Sequence, residues 1–178
     1  SDETILFMDD EVITQANVNL GTANLRGASM GWSLKPLRKW RYSGSVSYTY
    51  GQINRNDMPM PSILPYFGKH QLVFDHQDLK VSVLHHFSSS KNPHDYSWGG
   101  EDGLEETPLI NPEATELVDR FAGSPAWSRF DMNAHFKPDP SMTLSAHLYN
   151  IFDIHYKEFA SGISAPGRSL MLRIDYAF

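Results

Sequence analysis

The 178 residues include no cysteine, 40% apolar and 20% charged side chains, and a formal charge of −6 with a pI near 5.7. These values exclude a disulfide framework or thiolate metal site, a disordered chain and a basic nucleic-acid surface. The length suits one domain. No apolar run reaches the ~18 residues of a membrane helix, but hydropathy averages do not see membrane β-strands, whose alternation cancels the apolar face.

The chain opens on Ser1-Asp-Glu-Thr without a leader, which predicts a mature chain or a cut fragment. Residues 3–8 read as a short strand that Asp9-Asp10-Glu11 interrupts, and 9–20 as a loop with some extended character. Residues 22–34 read as a strand whose apolar parity changes at Gly27, which predicts a bulge there. A basic turn follows at 35–39. Residues 40–51 then alternate, with Trp40, Tyr42, Val46, Tyr48 and Tyr50 opposite Arg41, Ser43, Ser45, Ser47 and Thr49.

Pro59, Pro61 and Pro65 make 52–66 a loop. Two strands, 68–76 and 79–88, meet at a tight turn on Gln77-Asp78. Residues 88–125 are the longest break, rich in Ser, Asn, Gly and Pro. Inside it Asn111-Pro112-Glu113 predicts one short helix running to about Phe121, with Asn as cap and Pro in the first turn.

Residues 127–137 and 141–152 alternate again around a turn at 138–140. Residues 153–166 are a loop. The last strand puts Leu170, Leu172, Ile174, Tyr176 and Phe178 on one face and Met171, Arg173 and Asp175 on the other. Short turns thus alternate with long breaks, all the short ones on one side. That asymmetry, aromatics near strand ends and a wet face of Arg, Asp, Asn, His, Ser and Thr favour a transmembrane barrel. A soluble lipocalin-like barrel with its apolar face inward is the alternative.

The end of the chain carries a more specific pattern. Tyr149-Asn-Ile-Phe-Asp153, then Tyr156, then Ala165-Pro-Gly-Arg168 and a strand ending in Phe178 resembles the C-terminal signature of TonB-dependent outer-membrane receptors. Asn19-Leu-Gly21 with Leu25-Arg-Gly27, and the proline-rich lead from Pro59 to Gly68 and Lys69, are similar to upstream features of that family, although Ser29 stands where Glu is usual. The resemblance implies an all-β, antiparallel up-and-down transmembrane barrel segment of about eight strands, with long extracellular loops and one short loop helix.

It further implies that 1–178 is the C-terminal part of an outer-membrane barrel whose plug domain and energy-coupling box lie outside this chain. The parent would be a bacterial outer-membrane transporter, not an enzyme. It would take up a scarce iron complex (siderophore or haem) or a cobalamin-like nutrient, and periplasmic TonB would energise it through the plug. Its partners would be outer-membrane lipid, the plug, TonB and the barrel-assembly machinery; no nucleic acid, resident cofactor or metal is implied. The terminal Leu172, Ile174, Tyr176 and Phe178 are similar to the assembly signal of such barrels. A complete small barrel acting as a binding module, adhesin or enzyme is the remaining alternative.

Two groups of candidate residues follow. His85, His86, His94, Tyr96 and Trp98 lie at a strand end and in the long loop, where imidazole and phenol can ligate iron or haem. Interface anchoring and loop polarity are the favoured explanation, because no spacing here defines a metal site and His85 and His86 point to opposite faces. Arg129, Asp131, His135, His147, Arg173 and Asp175 fall on the lumen face, where they would contact the plug or pair across strands. The acidic stretch Asp95, Glu101, Asp102, Glu105 and Glu106 offers oxygens to Ca²⁺ but lacks EF-hand spacing. No catalytic motif is present.

Overall fold

The computed structural model describes residues 3–7, 10–14, 21–54, 58–97 and 100–178. Strands β1 (Glu3–Phe7) and β2 (Asp10–Thr14) form a separate two-stranded sheet. The main sheet contains β3 (Ala23–Leu37), β4 (Trp40–Ile53), β5 (Met58–Pro59), β6 (Phe67–His76), β7 (Leu79–Ser88), β8 (Trp127–Asp139), β9 (Met142–Tyr149) and β10 (Ser169–Tyr176). Its order is β10-β9-β8-β7-β6-β4-β3, with β5 appended to β4. Every pairing is antiparallel and between chain neighbours, save that β4 pairs β6 past the two-residue β5, so this is an up-and-down meander. The sheet is open, with β3 at one edge and β10 at the other.

The alternation read from the sequence becomes two continuous faces once the register is known. Leu34, Tyr42, Leu72, Val83, Met132, Leu148 and Leu170 are successive cross-strand partners and form one apolar row over seven strands. The adjoining row on the opposite face runs Arg41, Val73, Ser82, Asn133, His147 and Met171. No described residue covers the apolar face at its β10 edge: Leu172 is 71% exposed and Ile174 69%. A lipocalin-like carrier would bury that face inside itself, so the soluble alternative does not describe this sheet. No helix among the described residues is long and apolar enough to cross a membrane.

Close packing on the apolar face is done by rings lying along the sheet. Tyr42, His70, His85 and Phe130 stack in sequence across four strands, within 11° of parallel at each step. The indole of Trp32 lies over Gly44, where a Cβ would come within 2.7 Å of its Cε2.

Four expectations require correction. The β3–β4 register runs unbroken through Gly27, and the irregularity lies between Leu34 and Leu37. The parity change arises because Asn24 and Arg26 lie at the loop end of β3, beyond the apolar band, where the outer face is polar. Within the 9–20 loop, expected to have only some extended character, residues 10–14 form a paired strand. The helix within 111–121 shrinks to one turn, α1 (Leu117–Arg120), started by Glu116 and not by Asn111. Leu109 bridges Phe121, and Ile110 and Asn111 both donate to Arg120 O, which leaves too little chain between for a longer helix. Finally, β9 stops at Tyr149, because Asn150 takes a left-handed conformation (φ 49°).

Candidate functional site

The short turns gather at one end of the sheet and the long connections 54–66, 89–126 and 150–168 at the other. The long connections pack into a cap. Lys91 and Asp102 sit at its centre, 3.1 Å apart and almost wholly buried. Lys91 Nζ also donates to Ile63 O at 2.7 Å and stands over the rings of Phe159 and Tyr96. Asp102 Oδ1 accepts from Ser62 N at 2.7 Å. One ion pair therefore joins all three connections. Burial lowers the pKa of Lys91, with Asp102 opposing the shift, and raises that of Tyr96.

A second network ties the cap to the polar face of the sheet. Asp131, 4% exposed, accepts from Arg129 Nη2 (3.0 Å) and from Asn150 N (2.9 Å), with His86 Nε2 at 3.8 Å. Arg129 Nη1 donates to Tyr156 OH at 2.6 Å, and its buried Nε finds no acceptor among the described residues. Asn150, 2% exposed, donates through Nδ2 to Ile154 O and Pro166 O and accepts from Ile154 N. Asp153 Oδ1 accepts from Arg168 N at 2.7 Å.

These bonds account physically for the terminal sequence pattern. Asn150 and Asp153 both have positive φ, which short polar side chains tolerate. Each then clamps the far end of the connection, at Pro166 and Arg168. A Cβ on Gly167 would approach Asp153 Oδ1 to 2.9 Å.

Above Tyr156 the cap encloses a cavity of about 290 Å³ between 103–108, 124–127 and 155–161. The rings of Trp127 and Tyr156 are 4.5 Å apart in its lining. A second cavity of about 430 Å³ lies between β4 and the 59–66 and 89–95 segments and includes His94 in its wall.

The residues singled out in the sequence are distributed as follows. Arg129, Asp131, His135, His147, Arg173 and Asp175 share the polar face. Their Arg–Asp ion pairs run along strands, Arg129–Asp131 and Arg173–Asp175, while His86 Nε2 faces Asp131 across β7–β8 at 3.8 Å. His135 Nδ1 instead meets Ser145 Oγ, and His147 Nδ1 meets Asn133 Oδ1, both across β8–β9 at 2.9 Å.

The five ring residues are not brought together. His85 lies on the apolar face against Phe130, His86 on the polar face beside Asp131, and Tyr96 is buried with its hydroxyl on Ser124. Trp98 lies outside the described residues. Asp102 is taken by Lys91, and no group of metal-ligating side chains assembles among the described residues. Leu172, Ile174, Tyr176 and Phe178 line the exposed outer edge of the sheet. Lys91, Asn150 and the Trp127–Tyr156 cavity were not singled out as sites; the signal available was the Asn, Asp and Tyr spacing of the terminal pattern.

No family model and no curated protein matches this sequence. Solved structures do. The copper transporter OprC superposes with a TM-score of 0.67 at 22% identity, covering 88% of this chain and 23% of that one. The ferric enterobactin receptor PfeA from Pseudomonas aeruginosa gives 0.62 at 15% identity over 90% of this chain and 23% of its own. The FrpB iron transporter from Neisseria meningitidis gives 0.62 at 14% identity over 86% and 24%. The chain spans about a quarter of the length of these proteins. The likeness is one of fold: this chain has the architecture of the C-terminal barrel region of TonB-dependent outer-membrane receptors.

Proposed function

We propose that the chain is the C-terminal barrel portion of a bacterial outer-membrane receptor that actively imports a scarce nutrient. The carrying observation is the uncovered apolar row across seven strands, backed by a polar face and topped by long packed connections. Every backbone group inside such a sheet is paired, which hydrocarbon demands. The fold shared with metal and siderophore receptors supports the same reading.

In this reading the apolar face meets outer-membrane lipid. The polar face, with Arg129, Asp131, His135, His147, Arg173 and Asp175, looks onto a plug contributed by the rest of the receptor. Periplasmic TonB draws on that plug, and the cap holds part of the ligand site. Leu172, Ile174, Tyr176 and Phe178 serve the assembly machinery during insertion. The cargo belongs to the class of iron complexes, siderophore-bound or haem, or of cobalamin-like nutrients. The reaction is transport, with no covalent chemistry assigned to this chain.

The absence of cysteine allows a direct test. Single cysteines at Met132 and Leu148 probe the apolar face; at Asn133 and His147 they probe the polar one. With the chain folded into outer-membrane lipid, a water-soluble maleimide should label positions 133 and 147 and spare 132 and 148. Equal labelling of all four positions would contradict a lipid-facing apolar side.

A further inference from the structure

The charge of the protein is concentrated in the cap. Residues 89–126 and 150–168 carry ten Asp and Glu against Lys91, Arg120, Lys157 and Arg168, which is the whole formal charge of −6. The other 11 basic and 11 acidic residues cancel. The mouth of the polar face is therefore anionic, whereas the strands and short turns beneath carry ten Lys and Arg against five Asp, the balancing acids lying in residues 1–20. Such a field attracts cations and repels anions before contact.

The cavity above Tyr156 adds a shape and a chemistry to that field. Tyr156 is 5% exposed and held from below by Arg129, so the aromatic floor it makes with Trp127 is fixed. Pro108, Pro125 and Ala126 give the walls no charge. The rim holds Glu106 and Glu158. Lys157 answers Glu106 at 3.8 Å, whereas Glu158 is exposed and pairs with no cation among the described residues. Arg129, on the far side of Tyr156, is neutralised by Asp131 at 3.0 Å. His155 at the rim is engaged with Ser164. An aromatic floor attracts a positive charge on its face through the ring quadrupole.

We infer that this cavity binds an apolar group carrying a positive charge, an alkylammonium or comparable organic cation, between the Trp127–Tyr156 floor and the Glu158 carboxylate. The inference rests on the receptor reading and narrows its cargo. Complexes that present a cationic group fit the mouth. Anionic complexes, such as ferric catecholates or haem with its propionates, meet repulsion from the cap, and the basic side chains in the cavity lining are the already paired Lys157 and the Ser164-bonded His155.

Three probes sharing one aromatic ring separate charge from shape: benzyltrimethylammonium, benzyl alcohol and benzoate. Titrated calorimetrically into the whole chain in zwitterionic detergent, the cation should bind about ten-fold more tightly than benzoate, with the alcohol between. Glu158→Gln should narrow the gap between cation and benzoate and leave the alcohol unchanged. Raising salt from about 0.05 to about 0.5 M should narrow it as well. Trp127→Ala should abolish binding of all three, and Trp127→Phe, which keeps a ring and guards against misfolding, should retain the cation preference. Benzoate binding as well as the cation, indifference to Trp127→Ala, or no binding of any probe at millimolar concentration would each overturn the inference. The cysteine-labelling experiment reports separately on the receptor reading, so the two can fail independently.

Discussion

The sheet and the cap above it are built on opposite rules. The sheet carries a net excess of Lys and Arg and leaves large apolar side chains exposed, Leu170, Leu172 and Ile174 among them. The cap is acidic, yet it holds Tyr96, Leu104 and Tyr156, three of the five buried apolar residues described, together with the buried Lys91 and Asp102. Where a chain packs against itself indicates which solvent it expects. Connections that face water must build their own small core. A sheet with no second layer is stable only where something else covers its apolar face, and in the proposed receptor that cover is hydrocarbon.

The sharpest way to break the comparison is inside the cap. Lys91→Met leaves Asp102, 2% exposed, charged and without its cation. Removing one partner of a buried pair costs about 3–5 kcal/mol. The expected result is rapid protease nicking within 89–126, with the sheet still resistant. Adding Asp102→Leu should restore much of the protection, because a buried pair is worth little against apolar replacements. The recovery should stop short of complete, since Ser62 N loses its acceptor. If Lys91→Met nicks no faster than the parent chain, the cap is not organised around this pair.

The second test sets the two faces of the sheet against each other. Met132 lies mid-strand on the apolar face, and Asn133, the next residue, points the other way. Arginine at a lipid-facing midplane position costs about 2–4 kcal/mol, whereas a lumen position tolerates it. Met132→Arg should therefore lower the urea midpoint of the lipid-folded chain substantially, and Asn133→Arg should barely move it. Equal effects would mean that the faces do not differ in solvent.

A smaller effect is expected at the joint between the two regions. Asn150→Ala removes the side-chain bonds to Ile154 and Pro166 and leaves buried partners unsatisfied, at about 2 kcal/mol. Asn150→Gly keeps the φ of 49° accessible but loses the same bonds. Comparable losses in the two variants, read as chemical-denaturation midpoints, would assign the cost to hydrogen bonding. A clearly milder Gly variant would assign it to backbone strain.

This division also explains what was legible in the sequence. The strands and their faces could be read because a sheet wetted differently on its two sides imposes a period of two on every strand. His85 and His86 were separated correctly by parity alone. The Gly27 bulge was misread because parity within a single strand does not show where the apolar band ends; Asn24 and Arg26 lie beyond it. The helix from Asn111 was misread because its cap signals are local, whereas the pairing of Leu109 with Phe121 is not. For the same reason, nothing in the sequence joined Lys91 to Asp102 and Ile63, or Trp127 to Tyr156. The Lys91–Asp102 pair closes over 11 residues of irregular chain with no period to reveal it, and the other contacts depend on which connections meet, which a single alternating pattern does not encode. The Asn150, Asp153 and Tyr156 spacing was the exception, because its hydrogen bonds close within one connection or onto the strand beside it.

The finest test of the comparison is a pH slope, expected to be the smallest effect. Burial lowers the pKa of Lys91 below its ordinary 10.5, and the attraction of Asp102 only partly offsets this. The folded cap therefore sheds that proton at a lower pH than the unfolded chain does. Between the two values the unfolded state binds more protons, so cap stability rises as pH increases through that window. Below it both states carry the charge, and the full cost of burying the charge is present. Nicking rates of the cap, followed from about pH 8 to about pH 10 and referred at each pH to the Lys91→Met/Asp102→Leu variant, should fall relative to that variant. A relative rate that climbs instead would mean that attraction to Asp102 outweighs burial. The cap would then be held together by charge, as a water-exposed assembly can be, and its contrast with the sheet would rest on electrostatics and not on packing.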